Sequence, residues 1–309
     1  MEPLFLDSPM HEKIWGGNRL KTEFGYDIPS EHTGEYWAIS AHPNGVSYVK
    51  NGKYAGFHLA ELYKDNPELF GNPKTSVFPL LTKILDANDW LSVQVHPDDA
   101  YGLEHEGELG KTECWYVLET EENTKMVMGH HAKTKEELVQ AIENDDYDHL
   151  LNKFYIKKGD FFYIPSGTIH AICKGSLIYE AQQSSDITYR VYDYHRKDKD
   201  GNERELHLKQ AIDCLSFDKD IDKNDVHPVV KVHENMKETI FISNDSFTVS
   251  QLLVIGKCQY KCDNYQLATV VKGSGKVDEY DVKVGDNFLI PTNTSIELDG
   301  QMMIMMTTK

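Results

Sequence analysis

One nine-residue pattern occurs twice in the chain and limits the folds that the sequence can adopt. Residues 157–165 and 283–291 both read Lys-x-Gly-Asp-x-Phe-x-Ile-Pro, 126 positions apart. In each copy a Gly-Asp turn leads into a strand that ends at a proline. The residue five positions after the proline is His170 in the first copy and Ile296 in the second. The chain therefore repeats a structural unit but keeps a metal-capable side chain in one copy.

Short runs of β-branched and aromatic residues, bounded by Gly, Asp, Asn and Pro, surround the two copies. The predicted strands are 78–87, 91–97, 113–119, 125–130, 161–165, 176–182, 187–194, 247–255, 266–273, 287–291 and 301–307. Many short strands with regular turns are typical of a β-sandwich or a β-barrel. The fold class is therefore predicted to be mainly β.

Helical segments are predicted to interrupt the strands at about 53–72, 133–155 and 207–215. The longest segment starts with a capping box made by Thr134 and Glu137. Apolar residues then recur at helical spacing through it, namely Leu138, Ile142, Leu150 and Leu151. We expect a helical insertion over this whole segment.

The repeat extends beyond the nine residues. The apolar pattern of 113–119 matches that of 266–272, and the first copy is longer by about the size of the longest helical insertion. Twofold repetition favours two β-domains over a multi-repeat solenoid. The acidic run 217–228 lacks periodicity and is a predicted linker. We therefore predict an N-terminal catalytic domain at 1–230 and a C-terminal degenerate domain at 231–309.

Gly159, Pro165, Gly167 and His170 have the spacing of a known motif. The segment resembles the second sequence motif of the cupin superfamily, whose members are small jelly-roll β-barrels. Pro165 and Gly167 end a strand with a bend that a residue with a β-carbon adopts less readily. His170 then starts the return strand and points into the barrel mouth. The resemblance implies two tandem cupin domains with short helical insertions.

Further candidate ligands come from two other predicted strands. Gln94 and His96 are two residues apart, so both side chains face the same way on a strand, and Glu113 follows in GKTECWYV. A barrel interior with His96, Glu113 and His170 offers two imidazoles and a carboxylate, the ligand number of a catalytic zinc with an open position. Gln94 is either a weak fourth ligand or a substrate contact. Ligand types alone also suit Fe or Mn.

Together, QVHPDD, GKTECWYV and IPSGTIHAI closely resemble the type I mannose-6-phosphate isomerases, which are zinc-dependent cupin enzymes. IWGGNRL, GEYWAIS and ITYRVYDY are similar to further segments of this family, so the resemblance covers about the whole chain. The chain is most similar to the short bacterial form. The resemblance implies one Zn²⁺ per chain and interconversion of mannose 6-phosphate and fructose 6-phosphate through ring opening and an enediol.

The implied reaction needs positive charge near the reacting atoms and near the phosphate. Lys111 and Arg190 are the candidate catalytic residues. Arg190 is always charged and suits electrostatic stabilisation better than proton removal, whereas Lys111 is a candidate proton shuttle. For substrate binding we predict Lys13, Trp15 and Arg19, which lie in a family-like segment.

The formal net charge of −18 restricts the partners. Such a surface repels nucleic acid and anionic membranes, so neither is expected as a partner, and a sugar phosphate requires a local cluster of Lys and Arg. The longest apolar runs are shorter than a membrane span. Five irregularly spaced cysteines predict reduced thiols in a cytoplasmic protein. Two packed barrels provide enough core for a monomer, which is the expected state.

Two other functions remain open. A metal-dependent bicupin oxygenase also pairs an active barrel with a degenerate one, and it predicts Fe(II) and oxygen consumption. A non-catalytic sugar-binding cupin, as in carbohydrate-responsive regulators, predicts a DNA-binding module, against which the acidity argues. Whatever the function, Gln266 and Ile296 stand in the second barrel where Glu113 and His170 stand in the first. We therefore expect the second barrel to hold no metal.

Overall fold

The computed structural model describes residues 1–197, 200–217 and 226–309. The described residues form 21 strands: β1 (Leu4–Asp7), β2 (Met10–Gly17), β3 (Thr33–Ser40), β4 (Tyr48–Val49), β5 (Leu80–Ala87), β6 (Val93–Val95), β7 (Glu113–Thr120), β8 (Lys125–His130), β9 (Leu151–Tyr155), β10 (Phe161–Ile164), β11 (His170–Ile172), β12 (Ser176–Gln183), β13 (Tyr189–Tyr192), β14 (Val229–His233), β15 (Met236–Ser243), β16 (Thr248–Ile255), β17 (Cys258–Cys262), β18 (Gln266–Val277), β19 (Tyr280–Lys283), β20 (Asn287–Ile290) and β21 (Thr294–Thr308). The mainly β fold class is confirmed. Most of the predicted linker, residues 218–225, lies outside the described residues.

Helices are few and short. The described part of the chain contains α1 (Arg19–Thr22), α2 (Leu59–Asp65), α3 (Asp99–His105), α4 (Lys135–Glu143), α5 (Tyr147–Leu150) and α6 (Leu208–Cys214), with 3₁₀-helices at Gly52–Tyr54 and Pro67–Phe70. The helical segments predicted at about 53–72 and 207–215 are confirmed. In this part of the chain, no helix combines the length and the apolar character needed to cross a membrane.

The predicted helical segment 133–155 is wrong over residues 151–155, whereas α4 and α5 lie within the rest of it. Its start is as expected, since Thr134 Oγ1 accepts the N–H of Glu137 at 3.2 Å. The helix then breaks near Asp145, whose φ of 54° is left-handed. Residues 151–155 form β9, which pairs antiparallel with β8. Leu151 is buried in either conformation, so its apolar character did not distinguish a helix from a strand.

Two antiparallel sheets enclose the first barrel. Their strand orders are β10-β7-β12-β5-β3-β2 and β13-β6-β11-β8-β9. One buried cluster includes Trp115 and Ile178 from the first sheet and Met128 and Ile172 from the second. The barrel interior therefore lies between these sheets, while α4, α5 and α6 cover the outer face of the five-stranded one.

The third sheet forms the second barrel. Its strands follow the order β14-β15-β16-β21-β18-β20-β1-β4, with β17 paired to β21 and β19 paired to β18. Ile296 lies in the buried cluster at its centre. The first strand of the chain belongs here, because Phe5 pairs with Phe288. The division at residue 230 stays a prediction, and this strand pairing crosses it.

The two copies of the repeated pattern have matching backbone geometry. Glu113 pairs with Ile164 in the first copy, and Gln266 pairs with Ile290 in the second. The bend after the proline is left-handed in both copies, with φ of 80° at Gly167 and 53° at the equivalent Asn293. Asparagine tolerates this conformation better than most residues. The repeated strand-turn-strand unit is therefore confirmed.

Candidate active site

Three strands of the first barrel bring His96, Glu113 and His170 together. His96 directly follows β6, Glu113 begins β7 and His170 begins β11. One ligand atom from each residue lies within 4.8 Å of the others, and all three residues are buried. The structure thus gathers the three predicted metal ligands into one cluster inside the barrel.

Main-chain carbonyls orient both imidazoles. His96 Nδ1 donates to Ile187 O at 2.7 Å, and His170 Nδ1 donates to Thr168 O at 2.9 Å. A neutral imidazole that is protonated on Nδ1 presents a bare Nε2. These Nε2 atoms lie 3.4 Å (His96) and 3.2 Å (His170) from the carboxylate oxygens of Glu113. Three electron-pair donors therefore converge.

The surroundings of the Glu113 carboxylate indicate whether this cluster can hold a cation. It is fully buried, and neither oxygen has a hydrogen-bond partner among the described residues. A buried carboxylate facing two imidazole lone pairs is costly unless positive charge lies near it. Lys111 provides one charge, with Nζ 3.3 Å from Glu113 Oε2 and 3.2 Å from His96 Nε2. Two imidazoles and a carboxylate are the donor set of a divalent ion such as zinc, so the residues fit the implied metal.

The electrostatics keep the ligands in the forms that bind metal. Burial, assisted by the positive charge of Lys111, lowers the pKa of His96 well below its ordinary value. Burial would raise the pKa of Glu113, but the positive charge of Lys111 lowers it well below its ordinary value. The cluster therefore contains a neutral His96 and an ionised Glu113.

A cavity of about 240 Å³ borders the cluster. Gln94 lies in its wall, and its Nε2 is 3.4 Å from His170 Nε2. The other predicted residues that line it are Lys13, Trp15, Lys111 and Arg190. Five of the predicted site residues outside the triad therefore surround one space beside the metal ligands.

Arg190 reaches this space from β13. It pairs with Gln94 in the antiparallel register of β13 and β6. Its Nη1 donates to Glu205 O at 2.8 Å, whereas its buried Nε has no hydrogen-bond partner in the described residues. Arg190 therefore has donor capacity left beside the cavity.

Arg19 lies outside the lining of this cavity, and its role as a substrate contact stays a prediction. Its Nε donates to the buried Asp86 at 2.6 Å. The other guanidinium nitrogens donate to the carbonyls of Ala87, Gly175 and Ser176. Arg19 thus joins chain segments at one end of the barrel, and no part of it lines the cavity.

Sequence reasoning missed two buried charges in the cavity wall, Lys83 on β5 and Glu180 on β12. Lys83 Nζ lies 3.5 Å from Glu180 Oε2 and 3.9 Å from Glu35 Oε2. Trp115 Nε1 donates to Glu180 Oε1 at 2.9 Å. The signal was present, because LLTKILDA and SLIYEAQ are strands with many apolar residues, in which a lysine and a glutamate are seldom buried without a partner. Sequence reasoning also assigned no role to Arg204, which lines the cavity.

The pKa values of Glu35 and Glu180 are shifted in opposite directions. Burial would raise the pKa of Glu35, but Lys83 and Lys13 lower it to about 2. Burial, followed by the negative charge of Glu113, raises the pKa of Glu180. Glu180 is therefore the more basic of these two carboxylates when ionised.

A cupin barrel with two histidines and a glutamate converging beside a charged cavity defines the class: a cupin with a metal-type active site. Residues 4–118 match the catalytic domain of type I phosphomannose isomerase, and residues 237–309 match the mannose-6-phosphate isomerase cupin domain. Mannose-6-phosphate isomerase of Streptococcus mutans is 56% identical over 310 residues, covering 98% of this chain and 97% of the relative. The chain belongs to the type I phosphomannose isomerase family.

Two further relatives come from Bacillus subtilis. Its mannose-6-phosphate isomerase ManA is 47% identical over 299 residues, covering 94% of this chain and 93% of that protein. A crystal structure of a mannose 6-phosphate isomerase from this organism matches with a TM-score of 0.96 at 42% identity, covering 100% of both chains. The family resemblance read from the sequence is thereby confirmed.

Proposed function

We propose that this chain interconverts mannose 6-phosphate and fructose 6-phosphate, with one zinc ion held by His96, Glu113 and His170. The observation that carries the proposal is the buried Glu113 carboxylate, which faces both imidazole Nε2 atoms and has no hydrogen-bond partner among the described residues. The name of the Streptococcus mutans relative supports the substrate. Family membership favours this isomerase over the oxygenase and the sugar-binding cupin.

Gln94 is proposed as a fourth ligand or as a substrate contact, because its side chain lies between the cluster and the cavity. A divalent cation held there supplies Lewis-acid stabilisation for negative charge on the sugar oxygens. A zinc-loaded monomer in the cytoplasm remains the proposed state, and the five free cysteines support a reducing compartment.

The isomerisation moves one proton between C2 and C1 and shifts the carbonyl. In the open-chain aldose, a base removes the C2 proton while O1 gains a proton, which gives an enediol. Loss of the O2 proton and protonation of C1 then give the ketose. The chain must therefore supply one base that works on carbon and one proton donor that works on oxygen.

Three cavity residues are proposed for these roles. Glu180 is the carboxylate for the C2 proton, since it lines the cavity and is more basic than Glu35. Lys111 handles the proton on oxygen, because its Nζ lies beside the ligand cluster. Arg190 stabilises charge on the substrate, since a guanidinium stays protonated throughout.

The proposal is tested by following fructose 6-phosphate formation in a coupled assay together with metal analysis. We expect the purified protein to convert mannose 6-phosphate, to lose activity with EDTA and to recover it with zinc. Glu113→Gln should bind no zinc and lose activity. Glu119→Gln is the matched control on the same strand, since Glu119 is exposed, and it should retain both. Zinc binding without conversion, or Fe(II)-dependent oxygen consumption, would contradict the proposal.

A further inference from the structure

The lysines that line the active-site cavity already have carboxylate partners. Lys13 Nζ lies 3.3 Å from Glu35 Oε1. Lys83 lies between Glu35 and Glu180, and Lys111 pairs with the carboxylate of the metal cluster. A substrate phosphate at any of these lysines would have to compete with a bound carboxylate.

The two arginines of the cavity, Arg190 and Arg204, lie near one buried carboxylate, that of Asp193. Arg196 and Arg204 contact the carboxylate of Asp193, and Arg190 lies near enough for its charge to interact with that carboxylate. Asp193 is only 4% exposed and binds two of them directly. Asp89 Oδ2 lies 3.8 Å from Arg196 Nη1, and the carboxylate of Glu205 also acts on Arg190. The buried Nε of Arg190 nevertheless has no hydrogen-bond partner among the described residues, so a donor beside the cavity remains available to an anion.

The guanidiniums of Arg190 and Arg204 are close enough for their positive charges to interact. Burial lowers the pKa of the Arg190 guanidinium, and the nearby positive charge of Arg204 lowers it further. Like charges placed this close repel each other, and an anion between them relieves the repulsion. The remaining carboxylate of the cavity wall, Asp186, accepts a hydrogen bond from Asn44 at 3.0 Å.

Arg204 is held in a fixed orientation. Its Nε donates to Asp193 Oδ2 at 2.6 Å, and its Nη2 donates to Asp193 Oδ1. Arg204 also lines the cavity. Its side chain is 29% exposed, so an anion bound there keeps part of its hydration, which lowers the cost of desolvation.

We propose that Arg204 binds the phosphate group of the substrate, with Arg190 beside it, and that Asp193 is the positioning residue that holds Arg204 at the cavity wall. This inference rests on the proposed function, because it needs a sugar phosphate as substrate. It moves the phosphate away from Arg19, whose guanidinium is tied to Asp86. A fixed guanidinium suits a phosphate better than a lysine, since its planar donors match two oxygens at once.

Arg196 provides a matched control. It donates to the same Asp193 carboxylate and to Trp90 O, but it is not part of the cavity lining. Arg196→Ala and Arg204→Ala therefore each remove one guanidinium from Asp193, while only the second removes a cation from the cavity. The pair separates phosphate binding from general loss of structure.

The test measures kcat and KM for mannose 6-phosphate and inhibition by inorganic phosphate, using the zinc-loaded enzyme. We expect Arg204→Ala to raise KM about 10- to 100-fold, because a charge-assisted contact is lost. The inhibition constant of inorganic phosphate should rise by a similar factor, while kcat changes little. Arg196→Ala should alter both constants less than about threefold. Asp193→Asn should raise KM in the same direction as Arg204→Ala.

Binding of inorganic phosphate, followed by tryptophan fluorescence or calorimetry, separates this inference from the proposed function. If the wild type converts no sugar phosphate, the proposed function fails, and phosphate affinity still compares wild type with Arg204→Ala. If Arg204→Ala does not fold, Arg204→Lys replaces it, and we expect weaker phosphate binding with an unchanged near-ultraviolet circular dichroism spectrum. Wild-type KM and wild-type phosphate affinity in the folded Arg204 variant would overturn the inference.

Discussion

Buried charges in the first barrel are kept ionised by their neighbours rather than by water. Glu35 is 9% exposed, and its carboxylate has Lys13 Nζ at 3.3 Å and Lys83 Nζ at 3.9 Å. Trp37 Nε1 donates to it at 2.8 Å. These contacts outweigh burial and bring the pKa of Glu35 down to about 2. Glu35 therefore links the stability of the fold to pH.

The direction of this dependence follows from the two states. Unfolded glutamate has a pKa of about 4.3, above the folded value of about 2. The stabilisation is therefore complete above about pH 5 and is lost as pH falls toward 2, with a size of about 3 kcal/mol. We expect the unfolding free energy of EDTA-treated protein to fall more steeply between pH 5 and pH 3 in the wild type than in Glu35→Gln.

Urea unfolding at a series of pH values measures this difference. The control is Glu12→Gln, since Glu12 is exposed on the neighbouring strand β2, and it should keep the wild-type slope. Equal slopes for wild type and Glu35→Gln would show that the lysines do not stabilise the ionised carboxylate.

Sequence reasoning found some of these residues and not others for a physical reason. The spacing of His96, Glu113 and His170 follows strand alternation and a turn motif, both of which are local. The orientation of the Arg19 side chain, by contrast, depends on its hydrogen bond to Asp86, which lies 67 positions away in the sequence. Lys83 occupies an inward position only because carboxylates from two other strands compensate it. Such long-range compensation leaves no pattern within one segment.

At the scale of elements, the loop between α3 and β7 determines where Lys111 lies. Asp99 Oδ1 accepts the N–H of Gly110 and the side-chain amide of Gln183, both at 2.9 Å. Gln183 Oε1 in turn accepts the N–H of Thr112 at 2.9 Å. The residues on both sides of Lys111 are thus hydrogen-bonded to one Asp99–Gln183 pair, which makes this pair a clamp on the loop.

The clamp predicts that Asp99 acts on catalysis through Lys111. We expect Asp99→Ala to lower kcat about tenfold while zinc content is retained, because catalysis is sensitive to small displacements of a positioned group. Asp99→Asn keeps an acceptor oxygen and should restore most of the rate. In a double-mutant cycle, Asp99→Ala should add little to the loss caused by Lys111→Ala.

The neighbouring aspartate supplies the control. Asp98 Oδ1 accepts the N–H of Tyr101 and caps α3 at 2.9 Å, but the described contacts of the clamp do not include it. Asp98→Ala should cost about 1 kcal/mol of stability and leave kcat near the wild-type value. Additive losses for Asp99→Ala and Lys111→Ala would mean that Asp99 does not work through the lysine.

The elements that the sequence predicted well are those whose pattern is local. The strand in each copy of the repeated pattern was predicted correctly, because a Gly-Asp turn marks the start of that strand and a proline marks its end. The end of the segment 133–155 was misread because Leu151 fits a helix face as well as a buried strand. Pairing of β9 with β8 decides between these structures, and that contact involves residues outside the segment.

At the scale of the whole molecule, the two barrels share a core. The back of the six-stranded sheet contributes Leu177 and Tyr179 to one buried cluster, and the third sheet contributes Leu267 and Met305. Tyr179 Oη and Thr307 Oγ1 form a hydrogen bond of 2.9 Å across this cluster. Each barrel therefore covers apolar surface of the other, and β1 joins the second barrel although it begins the chain.

This arrangement predicts that the fragment 1–230 does not fold on its own, despite containing all the proposed active-site residues. Without 231–309, the apolar face around Tyr179 is exposed and β1 loses its partner β20, a loss of burial that exceeds the usual margin of stability. Near-ultraviolet circular dichroism and urea unfolding measure the outcome. Tyr179→Phe in the full chain is the mild counterpart and should cost about 1 kcal/mol. A fragment 1–230 that unfolds cooperatively and isomerises mannose 6-phosphate would instead establish an autonomous catalytic domain.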